Sequence, residues 1–403
     1  MRVLHIITAL AEGGPVRQLR LLLDRLPHES EVVTLTAPGA AGLSLRADGI
    51  PVHEILPAPG RSPLPGSSPL PARSPFPGRP PLPGFSSGRE NVFAGVRRLR
   101  RLIRQGRFDL VHTHSYRAGI AGRIAARLAG VRRVVATEHH LGRLGPVYLA
   151  GERLGLITIA ASATISRRLR SSGVPAGRIT VIPWAVEPSD FAYDPGLRFA
   201  TRAHLGLHPD VPVIGAVGRL DPAKRFDLLI RALTGVPGAE LLLVGDGPAR
   251  HALERLADIE GVADRVTFAG PVGHPRAMLC AMDVFASPGP HASGLATLEA
   301  IAAGLPAVYA SCGPLEERIA ARAPVRGTHR ITPNDRESLP RSLRAELLCH
   351  TERGGARLPA RTAGPRYDAG HMAAAVGRVY DRVIRSHPVP GALPDRPRPI
   401  TSR

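Results

Sequence analysis

The sequence predicts an α/β protein made of two Rossmann-like, doubly wound domains facing a central cleft. Three observations carry this. The chain has 403 residues, enough for two cores. Short runs rich in Val, Ile and Leu alternate with segments of helical period. That alternation occurs twice, interrupted by an irregular bridge near Pro183.

The first series opens with "RVLHIIT", a short β-branched run that reads as a buried strand. "GGPVRQLRLLLDRL" follows as a helix, then "SEVVTLT" and "GIPVHEI" as strands. "VFAGVRRLRRLIRQGRFDLVHTHS" and "AGIAGRIAARLAGVRRVVATEHH" repeat the order of helix, then strand. Between these pairs, residues 57–88 break the rhythm. "SPLPGSSPLPARSPFPGRPPLPG" repeats every six residues, and its prolines forbid both helix and ladder, so a disordered, polyproline-like spacer is expected. In "VRRLRRLIRQGR", Val96, Leu99, Leu102 and Ile103 share one side. The stripe is expected to face the sheet and the arginines water, although an anionic lipid surface would also suit them.

The second series runs from "VPVIGAVGRL" through "RFDLLIRALTGV", "AELLLVGDGP", "ARHALERLADI", "DRVTFAG", "HPRAMLCAM", "DVFASP" and "GLATLEAIAAG" to "PAVYAS". Domains are therefore expected at 1–183 and 184–365. A helix at 366–387 is expected to return to the first domain, ahead of a disordered tail at 388–403. The stretch from 331 to 366 reads as helical fragments cut by Gly and Pro.

Composition narrows the function. Hydrophobic residues at 43% and charged residues at 21% fit a globular protein, and no apolar run is long enough for a membrane span. The apolar start lacks a cleavage site, so a cytoplasmic location is expected. Cys280, Cys312 and Cys349 have no paired spacing, which supports neither a disulfide framework nor a zinc site. The net charge of +20 invites a nucleic-acid reading. Against it, Lys and Arg are spread along the whole chain and aromatics are 4%.

Three places carry candidate chemistry. In "EGGPV", Gly13 and Gly14 end a strand and open a helix, whose free amides can meet an anion. In "GRLDPAKRFDLLI", Arg219 lies at a strand end and Lys224 five residues on, two cations suited to a diphosphate. In "ASPGPHASGLATLEAIAAGLPAV", Glu299 sits early on an apolar helix starting near Gly294, and its two acceptor oxygens suit paired hydroxyls.

Taken in order, the Gly-Gly turn, "VGRL" with Lys224, "LLLVGDGP", "VTFAG" and "GLATLEAIAAGLPAV" resemble the retaining glycosyltransferases of family 4, which have the GT-B fold. The resemblance covers the chain apart from the proline insert and the tail. It implies that Gly13 and Gly14 meet donor phosphate, that Arg219 and Lys224 grip the diphosphate, and that Glu299 binds the donor ribose. It further implies that the base is read near Pro271 and Val272, with Gly294 and Leu295 at the donor-side helix start. His114 and His139 correspond to residues lining the sugar side, with His112 and His140 as dispensable neighbours. Two departures stand out. His291 and Ser293 replace the glutamate and aromatic that usually precede the ribose glutamate, and Trp184 and Ala185 alter the hinge.

The resulting expectation is an enzyme transferring a sugar, with retention, from a nucleotide diphosphate sugar to an unidentified hydroxyl acceptor, either lipid-linked, a glycan or a small molecule. No cofactor or metal is expected, since no Asp-x-Asp pair occurs. Contact with the inner face of a membrane is a further expectation, and nucleic acid is not an expected partner. The alternatives are an impaired scaffold that binds a nucleotide sugar or a protein without turnover and, on net charge alone, a nucleic-acid-binding protein.

Overall fold

The computed structural model describes residues 1–10, 13–55, 89–139, 145–290, 294–332, 335 and 337–387, with residues 89–92 as backbone only. The proline-rich insert, the tail from 388, and the positions His140, His291 and Ser293 lie outside the described residues.

The first half alternates strand and helix: β1 (Arg2–Ile7), α1 (Gly14–Leu23), β2 (Glu29–Thr34), α2 (Gly39–Ala47), β3 (Val52–Glu54), α3 (Arg89–Gly106), β4 (Leu110–His114) and α4 (Tyr116–Ala129). It continues with β5 (Val134–Glu138), α5 (Pro146–Glu152), β6 (Ile157–Ala160), α6 (Ala163–Ser171) and β7 (Ile179–Val181). Among the described residues these strands form a parallel sheet in the order β3-β2-β1-β4-β5-β6-β7.

After the linking segment come α7 (Pro195–Leu205), β8 (Val213–Val217), α8 (Asp227–Thr234), β9 (Glu240–Val244), α9 (Arg250–Ile259), β10 (Val266–Gly270), α10 (Arg276–Ala281) and β11 (Val284–Ser287). Then follow α11 (Leu295–Ala302), β12 (Ala307–Tyr309), α12 (Gly313–Ala320), β13 (Thr328–Arg330), α13 (Ser338–Glu352) and α14 (Ala369–Ser386). The second sheet is also parallel, in the order β10-β9-β8-β11-β12-β13.

Local chemistry explains the boundaries. Asp194 caps α7 by accepting from the Leu197 amide at 3.0 Å, Pro195 holds its first position, and Gly206 ends it in the left-handed region. Ser162 caps α6 in the same way. The stretch expected to be broken fragments contains a continuous helix, α13, and directly before that stretch lies a short edge strand, β13. Pro340 sits in the first turn of α13, where an amide has no helical acceptor to lose.

Packing shows why α3 is amphipathic. Leu99 and Ile103 are buried against Leu4, Ile6 and Val111 of the sheet, while Arg97, Arg100, Arg101 and Arg104 are exposed. On the opposite face, Met372, Val376, Val379 and Val383 of α14 pack with Val3, Leu22 and Leu110, so the last helix covers the first sheet. No helix among the described residues is long and apolar enough to cross a membrane. All three cysteines are free.

The strand orders decide where a ligand can sit. In each sheet the order reverses direction at one point, between β1 and β4 and between β8 and β11. Crevices form outside the carboxyl ends of strands at such points. The Gly13–Gly14 turn and His114 follow β1 and end β4. Arg219, Lys224 and the approach to α11 follow β8 and β11.

Candidate functional site

The two crevices meet around α1, the linking segment and α11. Gln18 of α1 is buried and holds the link from both sides. Its Nε2 donates to the Ala185 carbonyl and its Oε1 accepts from the Ala185 amide, each at 2.8 Å. Next to it, Trp184 is buried, and its Nε1 donates to His139 Nδ1 at 2.8 Å. The indole lies over Gly14, where a Cβ would come within 2.6 Å of Trp184 Cζ3 and 3.1 Å of Leu295 Cδ2. Only a residue without a side chain fits there. The Gly14 part of the expected phosphate turn is therefore covered by hydrocarbon from the link and from α11.

Strand register collects the histidines. His5 pairs with His112 across β1 and β4, and His114 lies two positions on, so all three share a face. His5 Nδ1 and His114 Nε2 are 3.2 Å apart, and His114 stacks on His139 with ring centroids 6.1 Å apart. His112 bonds to Tyr380 Oη at 2.6 Å and to Thr137 Oγ1 at 2.7 Å. Burial lowers His5 to about 3, with His28 adding to it, and burial with neighbouring histidines holds His112 and His114 well below the ordinary range. All three are neutral near pH 7. Nitrogens of His5, His112 and His114 lie within 4.8 Å of one another, the spacing of a metal-ligand set. For His112 to serve as a ligand, its bond to Tyr380 or Thr137 would have to break. The residue set aside as a dispensable neighbour is thus a structural tie between the first sheet and α14.

In the second domain, Arg219 is 62% exposed, with Asp221 at 3.8 Å. Lys224 is more enclosed, and burial lowers its ammonium pKa against the pull of Asp221. The loop after β11 reaches this turn closely: a Cβ on Gly289 would lie 2.5 Å from the Lys224 carbonyl oxygen. Pro271 is exposed and Val272 half-buried in the loop after β10. Gly294 is left-handed at the start of α11, and Leu295 is buried.

Glu299 is 2% exposed. Its Oε1 accepts from Arg17 Nε at 3.0 Å and lies 2.8 Å from Arg17 Nη2, an ion pair between α1 and α11. Its Oε2 is buried without a hydrogen-bond partner among the described residues. Burial raises the Glu299 pKa while Arg17 pulls it down. Glu299 and Arg17 line a cavity of about 340 Å³ between α1 and the linking segment, with Phe191 and His274 stacked at 4.9 Å on its wall.

The structure thus brings Gly14, Trp184, His139 and His114 together on the first domain, and Glu299 to the same junction. Sequence reading missed His5, Arg17 and Gln18. Strand pairing exposes the role of His5. The only sequence signal for Arg17 and Gln18 is their polarity near the start of α1.

Residues 16–190 match the family model described as Glycosyltransferase Family 4, and residues 211–345 match that of Glycosyl transferases group 1. D-inositol 3-phosphate glycosyltransferase from Mycobacteroides abscessus is 33% identical over 253 residues, covering 56% of this chain and 56% of that protein. The protein of the same name from Mycobacterium tuberculosis is 33% identical over 261 residues, covering 58% and 53%. The chain thus spans about half the length of these relatives. Among solved structures, a glycosyltransferase from Rickettsia africae superposes with TM-score 0.71 at 15% identity, covering 95% of this chain and 99% of that one. HepE from Anabaena, solved with UDP and glucose, superposes with TM-score 0.69 at 21% identity, covering 96% and 99%. Both likenesses are of fold. With two family models matched in the expected order and two parallel-sheet domains meeting at their switch points, the chain belongs to the family 4 glycosyltransferases of GT-B type.

Proposed function

We propose that this protein transfers a sugar from a nucleotide diphosphate sugar to a hydroxyl acceptor, with retention of configuration and without a metal. The observation that carries this is the buried Glu299 carboxylate, beside an interdomain cavity, with one oxygen lacking a donor among the described residues. A ribose hydroxyl is the donor such an oxygen needs. Arg219 and Lys224, in the loop after the neighbouring strand, are the cations for charge developing on the leaving diphosphate. HepE, solved with UDP-glucose, supports a nucleotide sugar as donor, and the relatives named for an inositol phosphate acceptor support a polyol hydroxyl as acceptor. The exposed arginines of α3 support peripheral contact with an anionic membrane from the cytoplasmic side.

One observation favours a second reading, a donor-binding protein without turnover. Trp184 covers Gly14 and bonds to His139, on the side where the sugar would lie, and His291 stands where the family has a glutamate. A panel of UDP- and GDP-sugars, assayed for hydrolysis and transfer with NMR of the product anomer, separates the two. Turnover with retention, unchanged by EDTA, is expected; nucleotide binding without turnover would sink the enzyme reading.

A further inference from the structure

The Glu299 carboxylate is shared unevenly. A guanidinium fork commonly spans both oxygens of its partner. Here Nε and Nη2 of Arg17 both fall on Oε1, and Oε2 is left buried without a donor among the described residues. Arg17 belongs to α1 of the first domain and Glu299 to α11 of the second. The first domain therefore orients a group of the second domain's donor site.

We propose that Arg17 is a positioning residue for the nucleotide ribose, holding Glu299 across the cleft so that Oε2 accepts a ribose hydroxyl. This rests on the donor-site reading above. Three features support it. α11 is short and enclosed, and among the described residues the side-chain contacts of the Glu299 carboxylate come from Arg17. Burial favours the neutral acid, whose own O–H would compete with the ribose hydroxyl, and Arg17 opposes this. The remaining charged groups around the cavity are Arg20 from α1, Asp24 just past the end of that helix, Glu187 and Asp190 from the linking segment, and His274 from the loop after β10. Of these, the cation Arg20 is tied to Asp48 at 2.5 Å and so does not take the place of Arg17 at Glu299, while Glu187 is paired with Arg25 at 2.7 Å.

Calorimetry tests this on the full chain. UDP and GDP are titrated first, and the tighter ligand is compared with its 2′,3′-dideoxy analogue on wild type, Arg17→Met and Arg17→Lys. Wild type is expected to prefer the ribonucleotide by about tenfold or more, the effect of a hydrogen bond to a charged acceptor. Arg17→Met should reduce the preference to about twofold or less, chiefly by weakening the ribonucleotide, and Arg17→Lys should restore most of it. An unchanged ratio in Arg17→Met overturns the proposal. So does equal weakening of both nucleotides, which is what loss of an interdomain strut alone would produce. If Arg17→Met does not fold, Arg17→Gln replaces it in the same comparison. Failure of wild type to bind either nucleotide is a different result, and removes the donor-site reading together with this one.

Discussion

Trp184, on the segment joining the two sheets, donates its indole N–H to Nδ1 of His139 over 2.8 Å while its ring covers Gly14. This contact ties the link to the carboxyl edge of the first sheet. Trp184→Phe should cost about 1 kcal/mol, the worth of the lost hydrogen bond, and Trp184→Ala about 3–5 kcal/mol, because it also opens a cavity. Urea unfolding of both variants measures the difference. Trp184 is also the single tryptophan of the chain. Saturation with nucleotide should therefore change its fluorescence, and an unchanged spectrum would put the ligand away from this contact.

Close approach sets a second expectation. A Cβ on Gly289 would meet the backbone carbonyl of Lys224 at 2.5 Å, and one on Gly14 would meet the Trp184 ring at 2.6 Å. Gly14→Ala should destabilise by about 1–3 kcal/mol through overpacking. Gly289→Ala has no side chain to push aside and should displace the loop against the Lys224 turn. A fall in nucleotide affinity larger than its effect on Tm is the expected signature; unaltered affinity would separate this loop from the donor site.

Asp283 leads into β11 and holds several partners, Arg198 at 2.8 Å, Arg202 at 2.6 Å, His350 at 3.2 Å and the Val213 amide at 2.8 Å. Burial alone would push its carboxyl up, but His350, Arg198, Arg202 and the Val213 amide together hold it below the usual carboxylate range. Asp283→Asn should cost about 3–5 kcal/mol, since it strands buried cations. Because the folded pKa is depressed, this contribution is complete above the unfolded pKa of about 4 and is lost as pH falls below it. The gap between wild type and variant in urea midpoint should therefore narrow below about pH 4.

Glu138 has the opposite sign. Burial pushes its carboxyl up to about 7, with Glu152 adding to this and Tyr148 and Arg123 opposing it. Between about 4.3 and that value the folded protein keeps a proton that the unfolded chain has released. Its contribution is complete below about pH 4.3 and is lost as pH rises through 7. Relative to Glu138→Gln, which does not titrate, wild-type stability should fall across that window in melting curves. A flat difference would show a carboxylate that is ionised throughout.

Much of this architecture was legible in the chain. Strand and helix leave different periods in a sequence, so "RVLHIIT" and "VRRLRRLIRQGR" announced their elements and their buried sides. Less was legible where pattern was short or punctuation misleading. Pro340 suggested a break, yet in the first turn of α13 it removes no helical hydrogen bond. β13, with only Thr328–Arg330, is too brief for a period to show.

The site divides in the same way. Glu299, Arg219 and Lys224 could be singled out as candidates because their spacing is set along one chain, each at a fixed distance from a strand end. The partners that decide how they behave were not, because Arg17 reaches Glu299 from another domain, His5 reaches His114 through strand pairing, and Trp184 reaches Gly14 through the link. The sequence by itself determined the two doubly wound domains and the candidate donor groups, since periodicity and local spacing are short-range properties. Only the tertiary structure decided that one oxygen of Glu299 is taken by Arg17 and that Gly14 lies under an indole, because burial and pairing depend on elements that meet only when the chain has folded.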